Sequence, residues 1–230
     1  MNEIIFLFDT MRALLAGVPL TLELTAISVA IGFALAVTLA VLRTSFAFAA
    51  WWVRFYVFVL RGTPLLLQIF LIYYGLGQFA AVRESVLWPF LRQPYWCAIL
   101  ALSLNTAAYG SEIIRGGLQS VPAGSIEAAR VCGLSGLALY RRIILPLALR
   151  QALPAYGNEL VIMVKSTALA SIVTLMEISG IAYAIISETF RALEVFLCAG
   201  AIYLAIIFVL TRGVALLEYR LNPHLRIAGP

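Results

Sequence analysis

The chain has 230 residues and a mass of 25.1 kDa; 63% of it is hydrophobic, 12% is charged, and the mean hydropathy is +1.00. Soluble domains carry about 45–50% apolar and about 25% charged residues, so this chain lacks the polar side chains to cover a water-facing globule, and the disordered, coiled-coil, collagen-like and disulfide-scaffold classes are excluded. A net charge of +5 raises the question of a nucleic-acid partner, but the arginines are scattered over three loops and a tail, not gathered on one surface, which excludes that class as well.

Near the N-terminus Glu3 and Asp9 face a single base, Arg12, the wrong charge for a signal-peptide leader, so the first apolar helix is expected to be kept as the insertion signal. Apolar runs long enough to cross about 30 Å of hydrocarbon predict five helical spans, at about 13–42, 57–80, 93–114, 151–176 and 195–218. The expectation is an all-α polytopic membrane protein with its termini on opposite sides. In the first span Ala26, Ala30 and Ala34 recur every four residues, a spacing that lets a second helix approach closely. Cys97, Cys132 and Cys198 form no metal-ligand pair and read as packing residues. Arg43, Arg54, Arg61, Arg115, Arg130, Arg141, Arg142, Arg150, Arg212, Arg220 and Arg226 fall on one side of this topology, and Arg12, Arg83, Arg92 and Arg191 on the other. Because positive loops are retained in the cytoplasm, the C-terminus and the loop 116–150 are expected there. The acids Glu3, Asp9, Glu84, Glu177, Glu188 and Glu194 fall on the opposite face.

The loop reads as two helices joined at a glycine. Pro122 and Gly124 break the preceding structure, Ser125 is placed to cap a helix over 126–132, and Gly133 to end it in a left-handed conformation. Ser135 would cap a second helix running to Pro146. A segment this short, hemmed by spans, cannot build the third helix of a DNA-reading helix-turn-helix domain. A short helix with Ala128 and Ala129 on its surface fits better as a knob for a groove in a soluble partner, against the plainer reading of a solvated loop.

Polar groups at span depth are the places to look for a transported substrate. Glu159 and Ser166 are seven residues apart and share one helix face, while Asn158 and Lys165 form the next stripe. Such a face could line a path in which Glu159 meets a cationic group, or Lys165 and Glu159 could pair with Glu112, Arg115 or another subunit as a structural contact; the residues leave both open. Gln68, Tyr73, Asn105, Tyr109 and Thr167 are further path candidates, and Arg61, Gly62, Thr63 and Pro64, read at the cytoplasmic end of the second span, are candidates for a hinge. The chain has no phosphate-cradling glycine loop, paired-carboxylate, Ser/His/Asp or metal-ligand cluster; its one histidine, His224, is in the tail, and no catalytic residue is expected.

Glu127-Ala128-Ala129, Gly133 and then Ile143, Leu145 and Pro146 match, at every fixed spacing, the EAA motif of the membrane subunits of ATP-binding-cassette importers. Arg61 to Gln68 resembles the RGTPLLVQ segment of polar amino acid permeases, Ala108 to Gly116 their AYxxExxRG segment, and Asn158-Glu159 followed by Lys165-Ser166-Thr167 their NE and K-S/D-T segment. Leu104 to Tyr109 and Ser166 to Ala170 are most similar to the M-type subunit of the histidine, lysine/arginine/ornithine and octopine/nopaline systems. The resemblance covers most of the chain, with Ser125 and Ala168 as visible departures outside the fixed EAA positions. It implies a type I importer transmembrane domain in a bacterial inner membrane, N-terminus periplasmic. It also implies pairing with a second, similar permease, two ATPase subunits, and a periplasmic binding protein. Glu127, Ala128, Ala129 and Gly133 would couple to the ATPase, which alone would hold ATP and magnesium; no cofactor is expected on this chain. The substrate implied is a polar, basic amino acid or an opine. An ATP-independent channel or carrier, or a permease for acidic or neutral amino acids, are the rival readings.

Overall fold

The computed structural model describes residues 3–221, so His224 and Arg226 lie outside the described residues. Among these residues every regular element is helical. Helix α1 (Glu3–Leu15) leads into α2 (Val18–Ser45), and α3 (Ala47–Gly62) precedes α4 (Leu65–Phe70), which continues through a wide turn at Leu71–Gly75 and a tight one at Leu76–Gln78. Short helices α5 (Ala80–Arg83) and α6 (Trp88–Leu91) lead to α7 (Pro94–Gln119) and the loop helix α8 (Ala123–Val131). Then α9 (Gly136–Leu139) passes through a π-helical turn at Tyr140–Ile144 into α10 (Leu145–Ser166) and a 3-10 turn at Thr167–Val173. The last two are α11 (Ile178–Thr189) and α12 (Ala192–Leu221).

Three stretches, Glu3–Thr44, Pro94–Gln119 and Ala192–Leu221, are each long and apolar enough to cross a membrane; Ala47–Gly62 with Leu65–Gln78, and Gly136–Val173 with Ile178–Thr189, make five if each bent pair is one span. The bends differ, 105° in the first pair and 48° in the second. The sharper one has a local cause: Thr63 precedes a proline, whose ring disfavours the helical region for its neighbour, and Thr63 is extended (φ −109°, ψ 143°). Arg61, at the end of α3 just before this break, lies over Tyr109, midway along α7, so the second span is bent and not straight.

The core is built around α7, whose buried face includes Cys97, Ala101, Leu102, Thr106 and Gly110. Helix α2 lies along it, with Leu24 packed on Ala98 and Ile99. The residues that permit close approach are Ser28, Gly32, Ala36 and Ala40, which are buried, while Ala26, Ala30 and Ala34 face outward. A methyl group added at Gly32 would lie 2.2 Å from Thr106 Cγ2. Both sets repeat every four residues, and periodicity alone does not say which one meets the neighbour. A second cluster joins Phe6 and Leu14 of α1 to Ile178 and Ala182 of α11 and Val195, Cys198 and Ile202 of α12. Helices α10 and α12 touch where Gly157 meets Val214; a Cβ at Gly157 would lie 2.4 Å from Val214 Cγ1. Cys97 and Cys198 are packing residues, but Cys132 is exposed at the end of α8.

Candidate functional site

A cavity of about 420 Å³ opens where the break between α3 and α4 faces α7 and α10. Arg61, Gly62, Thr63 and Pro64 form one wall, Asn105 and Tyr109 the second, and Glu159 and Ser166, with Ile162 on the rim, the third. Eight of the polar and hinge candidates named from sequence therefore converge, from segments about 40 to 100 residues apart along the chain. Glu159 is 5% exposed, and Thr106 Oγ1 donates to its Oε1 at 2.7 Å. Arg61 places its guanidinium 4.9 Å from the centre of the Tyr109 ring, a cation–π distance. One cavity thus offers a guanidinium, a carboxylate and hydroxyl and amide groups, a combination suited to a molecule with charges of both signs.

The break itself is held by Gln68 and Asn105. The last carbonyls of a helix lack intrahelical partners. Here Gln68 Nε2 donates to Leu60 O (2.8 Å), Thr63 O (3.1 Å) and Thr63 Oγ1 (2.9 Å), and Asn105 Nδ2 to Leu60 O (3.3 Å) and Gln68 Oε1 (3.1 Å). Gln68 is buried and does not line the cavity. Tyr73 packs on the apolar cluster of Ile69, Ala101 and Val173, and Thr167 is fully buried, donating to Val164 O at 2.8 Å. Asn158 faces a groove against Thr211 and Glu218 of α12, and Lys165 a separate groove against Gly200, Tyr203 and Leu204. The contacts imagined between Lys165, Glu159, Glu112 and Arg115 are not made: Glu112 is bound by Arg43 and by Arg115 (2.6 Å), and Glu159 by Thr106. Sequence reasoning passed over Thr106, whose pairing with Glu159 crosses 53 positions and leaves no local signal. It also passed over Glu177, placed on the outer face as a charge but fully buried, accepting from Gly180 N (2.9 Å) and Tyr203 Oη (2.7 Å). A lone acid between two apolar stretches was the available signal.

At the other end of α10 the loop forms a compact elbow. Helix α8 starts at Ala123 with Pro122 (φ −61°, ψ 131°) as its N-cap, so Ser125 lies inside the helix and caps nothing. Proline's fixed φ lets it sit at a helix start without loss. Glu127 and Ala128 are exposed, whereas Ala129 is 5% exposed and turned inward, not displayed. Gly133 takes φ +82°, with Gly133 N donating to Arg130 O (2.9 Å) and Leu134 N to Ala129 O (3.0 Å), which closes the helix end. The second helix does not stop at Pro146. Proline cannot accept the normal i−4 geometry, and the π-helical turn at Tyr140–Ile144 widens the backbone just before it, so α9 and α10 run on as one rod.

Comparison with known proteins places these features in a family. The model of the binding-protein-dependent transport system inner membrane component matches residues 9–223. The chain is 59% identical over 226 residues to the octopine transport system permease protein OccM of Rhizobium meliloti, covering 96% of this chain and 91% of that one. It is 53% identical to the nopaline transport system permease protein NocM of Agrobacterium fabrum, covering 97% and 94%. With the histidine/lysine/arginine/ornithine permease HisM of Salmonella typhimurium it shares 44%, over 84% and 83%. Among solved structures, an amino acid ABC transporter crystallised with histidines superposes with a TM-score of 0.84 at 32% identity, covering 96% of this chain and 99% of that one. The chain belongs to the family of inner-membrane components of binding-protein-dependent transport systems.

Proposed function

We propose that this chain is one of two permease subunits of an ATP-driven importer for a basic amino acid or an opine, with the cavity between Arg61 and Glu159 on the translocation path. The observation that carries the reading is that cavity: a carboxylate and a guanidinium on facing walls suit a substrate that has both a cationic side chain and carboxylates. The most similar relatives named above carry opines and basic amino acids, which have that charge pattern. The path works by alternating access, with the Gly62–Pro64 break as the flexible wall. Glu127, Ala128, Ala129 and Gly133 form the docking elbow for a separate ATPase subunit, which holds ATP and magnesium; Ala129 acts by packing the elbow from within. A soluble binding protein delivers substrate from the periplasm, where the N-terminus lies, and the C-terminus is cytoplasmic.

The test is uptake by the complete transporter in proteoliposomes. Glu159→Gln is expected to lower uptake of arginine or octopine at least tenfold while a neutral amino acid, where carried at all, changes less than threefold. Equal losses for cationic and neutral substrates would assign Glu159 to packing with Thr106 and remove it from the path.

A further inference from the structure

A second pocket, of about 200 Å³, shares no residue with the Arg61–Glu159 cavity. It lies between α2 and the α9–α10 rod, where Ile114 and Leu118 of α7 form its floor. Phe33, Val37 and Val41 line one side, and Leu145, Leu149 and Ala152 the other. The inner end is shut where the Phe33 ring meets Tyr156 edge-on, with ring centres 5.5 Å apart. From Phe33 to Thr44, the last lining residue of α2, the helix rises about 16 Å, and the hydrocarbon of one leaflet is about 15 Å deep.

The lining changes character only at the end nearest the elbow. Thr44 Oγ1 is engaged on its own helix, donating to Ala40 O (3.1 Å) and Val41 O (3.0 Å). Tyr140, also in the lining, is exposed, and among the described residues its hydroxyl has no partner. Arg141 and Arg142 follow it in the same turn, both exposed, and neither has an ion pair or a hydrogen bond among the described residues. With Leu137 and Ala138 they line a groove of their own. One leaflet's depth of apolar wall therefore ends in a free hydroxyl and two unpaired guanidinium groups.

Size decides what fits. A helix about 10 Å across would need about 1,250 Å³ over a length of 16 Å, several times the space present. A single side chain is too short to fill it. A hydrocarbon chain matches both the bore and the length, and a phosphate at its head meets arginines, which bind phosphate through two parallel hydrogen bonds. A net anionic headgroup is favoured over a zwitterionic one, which brings a cation of its own toward the same two arginines.

We propose that this pocket holds one acyl chain of an anionic phospholipid from the leaflet on the elbow's side, with Tyr140, Arg141 and Arg142 holding its phosphate. The inference needs only a membrane-spanning chain and does not depend on what the transporter carries. The lipid is wedged between α2 and the rod that joins the elbow to Glu159, so it steadies that rod from the side away from the cavity.

The experiment uses the complete transporter in phosphatidylcholine vesicles containing a minor share of phosphatidylglycerol with a photoreactive diazirine at the end of one acyl chain. Labelled peptides are mapped by mass spectrometry. Label is expected on the Phe33–Val41 segment, displaced by unlabelled phosphatidylglycerol and not by added phosphatidylcholine. Val41→Trp, which fills the pocket from an exposed position, and the double variant Arg141→Gln/Arg142→Gln are each expected to cut that label at least fivefold. Phe208→Trp, on the exposed face of α12, is the control and is expected to leave it unchanged. Label that Val41→Trp does not reduce, or that phosphatidylcholine displaces equally well, overturns the proposal. So does a segment left unlabelled in the complete transporter, the result if another subunit covers the pocket. If the double arginine variant fails to accumulate in the membrane, Val41→Trp and the lipid competition decide.

Discussion

Glu177 and Gly17 meet at the point where α1, α2, α11 and α12 converge, and together they carry the residue-scale logic of this chain. The Glu177 carboxylate caps α11 through Gly180 N and takes the Tyr203 hydroxyl from α12, satisfying an anion that burial would otherwise make costly. Gly17 lets the start of α2 press on the same backbone: a Cβ there would lie 2.6 Å from Ile178 N and 2.7 Å from Glu177 C. Backbone atoms cannot rotate away as a side chain can. Gly17→Ala is expected to destabilise the protein by about 1–3 kcal/mol, read as a lower unfolding temperature in detergent. Gly213→Ala, on the open side of α12 with nothing within 4 Å, is the matched control and is expected to leave that temperature unchanged or slightly raised. None of this was legible in the sequence, because the partners of Glu177 and Gly17 lie 26 and about 160 positions away. Glu159 and Ser166 were legible as one face, since a spacing of seven on a helix needs no tertiary knowledge.

Among elements, the elbow of α8 and the rod that follows it is where sequence and structure agree in outline and differ in detail. Gly133 was readable as a left-handed stop because few other residues adopt φ +82° without strain. The continuation through Pro146 was not, because a π-helical turn depends on a single extra residue per turn that no propensity records. The break at Thr63–Pro64 was visible as a weak point, but its 105° angle was not, because a proline marks where a helix breaks and not by how much the chain turns. Nothing lies within 4 Å of a Cβ built on Gly133, so a larger side chain there meets backbone strain and outside partners, not this chain's own packing. Gly133→Val, or Glu127→Lys on the exposed face, is expected to leave the amount of protein in the membrane within about twofold. ATP-driven uptake in vesicles is expected to fall at least tenfold. Uptake at the wild-type rate in both variants would remove the elbow from the coupling path.

For the molecule as a whole, hydropathy was enough to find the apolar stretches, three of them single helices and two of them bent pairs, while the choice of which stripe of α2 faces α7 was beyond it. Orientation is open to a direct check, because Cys132 is exposed beside the elbow and Cys97 and Cys198 are buried. A membrane-impermeant maleimide is expected to label one thiol per chain in inside-out vesicles lacking the ATPase, and none in intact spheroplasts. Labelling from outside would invert the topology. The contact of Gly157 with Val214 also has a mechanical meaning. The rod from Tyr140 to Ser166 touches α12 there, and at 1.5 Å per residue the arm toward the elbow is about 25 Å and the arm toward the cavity about 13 Å. With that contact as fulcrum, α10 is a lever of about two to one. A pull of about 2 Å on the elbow would become a push of about 1 Å, in the opposite direction, at Ser166, while Glu159, two residues from the fulcrum, would stay almost still. The gearing would exchange amplitude for force at that wall of the cavity.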